Sequence, residues 1–175
     1  MSKTLHYVFD PLCGWCYGAS AAVSALADHP AIALRLLPSG LFSDAGARPM
    51  DDAFADYAWS NDQRIERMTG QRFSALYRSQ VLADRQQRFD SGPATLALTA
   101  VALTEPQREP QALQALQRAR YVEGQDITRL DALTALWASL GLGAAAALLA
   151  QPDAALLQAT SARVDQAQAL LQAFG

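Results

Sequence analysis

Over the first forty residues, apolar positions form two short runs separated by a segment with helical spacing. Leu5 to Phe9 (LHYVF) is rich in β-branched and aromatic residues and stops at Asp10-Pro11, which predicts a short strand. From Cys16 to Ala27, apolar and small residues recur at helical spacing through Ala19, Val23 and Leu26, and the run ends at Asp28-His29-Pro30. Ala31 to Leu37 (AIALRLL) predicts a second strand, closed by Pro38-Ser39-Gly40. Strand, helix and strand in so short a stretch form a βαβ pattern, whose crossover favours a parallel pair.

After Gly40 the period changes. A loop-like stretch (LFSDAGARPM) leads into helical patterning over 50–69, 72–82, 93–103, 110–123, 128–140 and 153–173, with a short Ala-rich piece before Pro152. Ser91 or Gly92 is placed to cap a helix with Pro93 in its first turn, and Glu109-Pro110 and Gln151-Pro152 repeat the proline signal. Gly70, Gly141 and Gly143 fit helix ends. No internal repeat emerges, and no third strand is evident after Leu37. Two parallel strands alone leave unpaired edges and bury little, so the pattern by itself lacks the strands that a stable sheet needs.

Composition narrows the class. At 175 residues, the chain has room for one domain with an elaboration. Hydrophobic residues make up 51% and charged residues 18%, and no apolar run approaches the roughly 18 residues of a membrane span, so a soluble globular protein is expected. A net charge of −3, with the 14 cationic residues scattered, argues against a nucleic-acid partner. The densest basic stretch, Arg78 to Arg88, also carries Asp84 and reads as a solvated helix face. The start MSKTLHYVFD lacks an apolar export segment, which points to the cytoplasm and away from a membrane. In a reducing compartment, a close cysteine pair reads as catalytic, redox-sensing or metal-bound rather than structural.

Both cysteines lie in FDPLCGWCYGAS, two residues apart, between the first strand and the first helix. Disulfide exchange needs an attacking thiolate and a second thiol near enough to close the bridge. With a helix beginning near Gly14 or Trp15, Cys13 is at its N-cap, where free backbone N–H groups and the helix dipole stabilise a thiolate. Cys13 is therefore the candidate nucleophile, and Cys16, one turn deeper, the candidate resolving thiol. Gly14 lets backbone approach the sulfur and Trp15 offers an apolar surface, so Pro11, Gly14 and Trp15 are the candidate substrate contacts.

Other readings of the pair are weaker. Free cysteines are often small core residues, a role that the strand-to-helix setting disfavours. A metal site needs about four ligands, and neither His6 nor His29 has the spacing to supply them, so no metal is expected within one chain, while a zinc shared between two chains stays open. His6 reads as a packed or edge histidine and Asp10 as a turn residue. Phe54, Tyr57, Trp59 and Phe73 fall at spacings that suggest helix core, with a groove role as the alternative. No dinucleotide, Walker-type or G-x-S-x-G motif is present, and no cofactor is expected.

FDPLCGWCYGAS resembles the active-site segment of the DsbA-like branch of the thioredoxin superfamily, especially its FrnE-like, protein-disulfide-isomerase-type group. The later SGPATLALTA and LQRARYVEGQDIT are similar to two further segments of that group. The resemblance implies an α/β thioredoxin-like fold with a helical domain inserted after the second strand, and thiol-disulfide exchange at Cys13 and Cys16. It implies a βαβ portion over 1–40, an inserted helical domain over 41–150, and a helix over 151–175 leading back to the thioredoxin portion. Members continue into further strands after a cis-proline, whereas this sequence stops at QALLQAFG, so the C-terminal strands of the sheet are expected to be absent. The expectation is a shortened form of a longer product, or a second copy, as a homodimer, covering the open sheet edge. Expected partners are protein or small-molecule thiols and disulfides and a thiol reductant. The alternatives are a redox-inactive binding or chaperone-like module and a glutathione-linked isomerase or transferase on the same fold.

Overall fold

The computed structural model of the chain describes residues 2–174. Its first two strands, β1 (Lys3–Phe9) and β2 (Ile32–Pro38), pair in parallel, in register from Lys3 opposite Ile32 to Phe9 opposite Pro38. The crossover is a helix bent at Ala19, made of α1 (Gly14–Gly18) and α2 (Ser20–Ala27). Hydrogen bonds from the Ala19 N–H to the Trp15 carbonyl and from the Val23 N–H to the Ala19 carbonyl carry the helical ladder across the bend. The helix starts two residues before Cys16, where the apolar spacing begins, because glycine and tryptophan in its first turn do not contribute to that spacing.

The helix predicted over 50–69 is α3 (Asp52–Thr69), capped by the Asp51 side chain, which accepts from the Phe54 N–H at 2.8 Å. The stretch predicted as a helix over 72–82 differs. Phe73 donates its N–H to Glu66, while the Ser74 N–H and hydroxyl bond to the carbonyls of Tyr121 and Val122, so residues 73–74 are tied to neighbouring helices. Helix begins only after them and widens into a π-helical turn, Tyr77–Leu82, that buries Tyr77, Val81 and Leu82. Two short strands, β3 (Arg48–Pro49) and β4 (Arg88–Phe89), pair antiparallel away from the main sheet and were too brief to leave a pattern. Among the described residues, the main sheet has two strands, and the first four residues of β1 are exposed.

The helical part is organised around α4 (Gly92–Thr104), which buries residues all round: Ala94, Thr95, Ala97, Leu98, Thr99, Ala100 and Val101. Its small side chains let α5 (Glu109–Tyr121), α6 (Leu130–Ser139), α7 (Gly143–Ala150) and α8 (Ala154–Phe174) approach closely. The Trp137 indole N–H donates to the Ala97 carbonyl at 3.0 Å. Helix α8 runs back to β2, where Arg163 donates to the Leu36 carbonyl at 2.9 Å and the Gln168 amide to the Ser39 carbonyl. Arg163 also forms a buried ion pair with Glu109. At the end of α5, Gly124 adopts a left-handed φ of 70°, and a Cβ there would lie 2.9 Å from the Leu76 backbone; the Gly-x-Asp turn needs glycine for both reasons. No helix among the described residues is long and apolar enough to cross a membrane.

Candidate active site

The end of β1 is held in place by Asp10, whose side chain is only 1% exposed. One carboxylate oxygen accepts from the Leu12 N–H at 2.9 Å; the other accepts from the Phe42 N–H at 3.1 Å and the Ser91 hydroxyl at 2.8 Å. Burial raises the Asp10 pKa, opposed by these hydrogen bonds and by the charge of Arg120. Asp10 does form a turn, but it also joins three distant stretches of chain. Ser91 gives its hydroxyl to Asp10 and so makes no side-chain cap to α4. The Tyr121 hydroxyl donates to the Leu12 carbonyl at 2.7 Å, and the Cys13 N–H to the Asp10 carbonyl at 3.1 Å. Through these bonds, Cys13 is fixed as the extended residue that caps α1.

Both cysteines are free thiols of intermediate burial, but their surroundings differ. The Cys13 pKa is lowered to about 7, first by a hydrogen bond from the Cys16 thiol and then by the backbone N–H groups of Cys16 and Trp15; burial and the Asp10 charge oppose the shift. The Cys16 pKa is raised by its hydrogen bond to Cys13, by burial and by the Cys13 charge. The Tyr7 hydroxyl lies beneath Cys16, 3.4 Å from its carbonyl oxygen, and burial holds this phenol protonated.

Cys13 opens onto a cavity of about 430 Å³, lined by Cys13, Gly14 and Trp15 together with Leu41, Tyr57 and Asp62. Trp15 is 41% exposed, and the Arg64 guanidinium lies 5.8 Å from its ring centroid. Phe54 and Tyr57 line this cavity, so both contribute to a groove as well as to helix packing; Trp59 and Phe73 do not line it. Pro11 is buried in the turn and lies off the cavity. Cys16 instead faces a nook of about 10 Å³ beside Tyr7, Val23 and Leu113. The larger hollow of about 600 Å³, between β2 and α8, contains Glu109 and Arg163 but no thiol; His6 lies at its edge, exposed on β1. His29 is exposed and accepts a hydrogen bond from the Ala31 N–H.

Beneath Cys13, α3 contributes Asp62, only 4% exposed, which accepts from the Tyr77 hydroxyl at 2.8 Å. Its Oδ1 lies so near Gly14 that a Cβ there would be 2.5 Å away, and glycine is what lets α3 pack against α1. Burial raises the Asp62 pKa to about 7; the Tyr77 hydrogen bond and Arg120 pull it down, and a Cys13 thiolate pushes it up. Arg120 is 1% exposed and lies 5.5 to 5.7 Å from the Tyr77, Phe89 and Tyr121 ring centroids. Its guanidinium nitrogens have no hydrogen-bond partner among the described residues. Tyr7, Asp62, Tyr77, Arg120 and Tyr121 were not singled out from the sequence. Arg120 and Tyr121 lie in the LQRARYVEGQDIT segment that resembles the family, and Asp62 left a signal as an acid on the stripe of α3 that buries Phe54, Ala55 and Ile65.

A C-x-x-C pair between a parallel strand and a helix, with one thiol facing a cavity, defines the class: a dithiol-disulfide oxidoreductase of thioredoxin-like fold with a helical insertion. No protein-family model and no curated protein matches the chain, but solved structures do. The cytosolic disulfide reductase DsbM from Pseudomonas aeruginosa matches with a TM-score of 0.88 and 34% identity, over 99% of this chain and 80% of that one. DsbM solved with GSH matches with a TM-score of 0.84 and 33% identity, over 99% and 81%. A candidate protein disulfide isomerase from Nitrosomonas europaea matches with a TM-score of 0.83 and 22% identity, over 97% and 80%, and that likeness is one of fold. The chain belongs to the DsbA-like branch of the thioredoxin superfamily.

Proposed function

We propose that the chain is a cytosolic disulfide reductase in which Cys13 is the nucleophile and Cys16 the resolving thiol. The observation that carries this is the division of the pair: the thiol of lowered pKa faces the cavity, and the thiol of raised pKa lies behind it. The Cys13 thiolate attacks one sulfur of a substrate disulfide and expels the other as a thiolate. Cys16 then attacks the Cys13 sulfur, releasing the second thiol and leaving an intramolecular disulfide. Gly14 leaves the approach to Cys13 free of a side chain, and Trp15 provides the apolar wall against which the substrate rests.

The reducing direction is supported by two arguments. A strong oxidant stabilises its thiolate heavily, with a pKa of about 3.5 in the extreme case, whereas a Cys13 value of about 7 is in the range of reducing relatives. DsbM, at 34% identity, is described as a cytosolic disulfide reductase, which also supports the cytosolic assignment. A small thiol such as glutathione is the proposed reductant of the internal disulfide, supported by the DsbM structure with GSH.

The test is reduction of an insulin-type disulfide with glutathione as electron source. Turnover by the wild type that disappears in Cys13→Ser is expected; equal turnover in that variant would remove Cys13 from its role.

A further inference from the structure

Cys13 and Asp62 line the same cavity, and the Asp62 carboxyl packs against Gly14, the residue that follows the nucleophile. An acid at this place meets an unmet need of the reaction. Each attack by Cys13 expels a thiolate into a cavity with substantial apolar lining, where an unprotonated sulfur is poorly solvated. Alkyl thiolates are basic, with pKa values near 8.5, and leave more readily if a proton reaches them as the bond breaks. We propose that Asp62 is the proton donor to the thiolate that Cys13 displaces. This rests on Cys13 being the nucleophile.

The step balances. Cys13–S⁻ bonds to one sulfur of R–S–S–R′, the disulfide bond breaks, and R′–S⁻ takes the Asp62 proton, leaving R′SH and an Asp62 carboxylate. In the second step, Cys16–SH attacks the Cys13 sulfur and the proton of Cys16 leaves with R–S⁻ as RSH. Two reductant thiols then reopen the internal disulfide and become one disulfide. Their two protons return to Cys16 and Asp62, and Cys13 is again a thiolate.

The surroundings of Asp62 suit a donor that must reload. Burial keeps its carboxyl protonated to about pH 7, and the Cys13 thiolate pushes in the same direction. Once Cys13 enters a mixed disulfide, that charge is gone and the proton is easier to release. The Tyr77 hydroxyl on Oδ2 and the positive Arg120 from α5 stabilise the carboxylate that results. Tyr121 also lies within electrostatic reach, and Arg48 lies across the cavity.

The test is a single-turnover oxidation of the reduced protein by two probes, oxidised glutathione, with a basic leaving thiolate, and the aromatic disulfide DTNB, with a weakly basic one. At pH 7, Asp62→Asn is expected to slow the glutathione reaction about tenfold or more and the DTNB reaction less than about twofold. The wild-type rate with oxidised glutathione should rise and then fall across about pH 7 as Asp62 loses its proton. Asp62→Asn should keep only the rising limb. Tyr77→Phe removes a hydrogen bond that lowers the Asp62 pKa, so its falling limb should move to higher pH. Equal slowing of both probes, no slowing of either, or an unmoved limb in Tyr77→Phe would overturn the proposal. Unchanged reaction of Cys13→Ser with both probes would instead overturn the nucleophile assignment beneath it.

Discussion

The two sides of α1 make opposite use of the same element. On the Cys13 side lies a cavity of about 430 Å³, with the buried Asp62 carboxyl and the exposed Trp15 in its lining. On the Cys16 side, α2, α5 and the Tyr7 ring close to a nook of about 10 Å³. Two residues, Gly14 and Trp15, separate an open, acidic thiol from an enclosed, protonated one. Cys13 is the extended residue that caps the helix and Cys16 lies within it, and what the rest of the chain packs against each adds to that difference. A C-x-x-C motif supplies two sulfurs, and the helix start together with the packing decides which one reacts.

Removing one sulfur should break this contrast most severely. Cys16→Ala leaves nothing to resolve the mixed disulfide, so multiple turnover is expected to fall by about a hundredfold or more while the first attack persists as a trapped adduct, detectable by intact mass. The same variant loses the hydrogen bond that most lowers the Cys13 pKa, which should rise from about 7 toward the ordinary thiol value. Alkylation of the reduced wild type gives the next largest effect. A lowered pKa means that reactive thiolate accumulates as pH rises through about 7, so at neutral pH Cys13 should alkylate at least about tenfold faster than Cys16. The reverse order by peptide mapping would exchange the roles of the two sides.

Smaller effects sharpen the picture. Gly14→Ala places a Cβ 2.5 Å from Asp62 Oδ1 and 3.1 Å from Ile65 Cδ1, so a loss of about 1–3 kcal/mol is expected in denaturant unfolding. An unchanged midpoint would mean that α3 yields easily and the cavity is soft. Trp15→Ala should alter substrate preference in kcat/KM with less than about 1 kcal/mol lost in stability, because the ring is 41% exposed. A large fall in Tm would make Trp15 part of the packing.

The contrast between the two sides was only partly legible in the sequence. Where the signal is local, as in the two strands, the crossover helix and the C-x-x-C spacing, the reading matches the structure, since periodicity is a property of neighbouring residues. The partners of Asp10 are 32 and 81 residues away at Phe42 and Ser91, and the clasp from Tyr121 to Leu12 spans 109, so none of them leaves a local pattern. The stretch 72–82 shows the same limit: its apolar spacing is helical, but Ser74 is tied to the end of α5, and only the structure shows this. The Ser91 position was recognisable as the start of a helix, yet its hydroxyl bonds elsewhere.

The Tyr121 clasp bears on how the protein is made. The cysteines leave the ribosome ahead of the Tyr121 hydroxyl that secures the Leu12 carbonyl and of the Ser91 hydroxyl that helps hold Asp10, which belong to segments made later. Until α5 is made, the nascent chain carries the two thiols without the Tyr121 clasp. The finished geometry around the leading sulfur assembles only after α5 has emerged, so the half-made polypeptide lacks the fully ordered site of the completed enzyme.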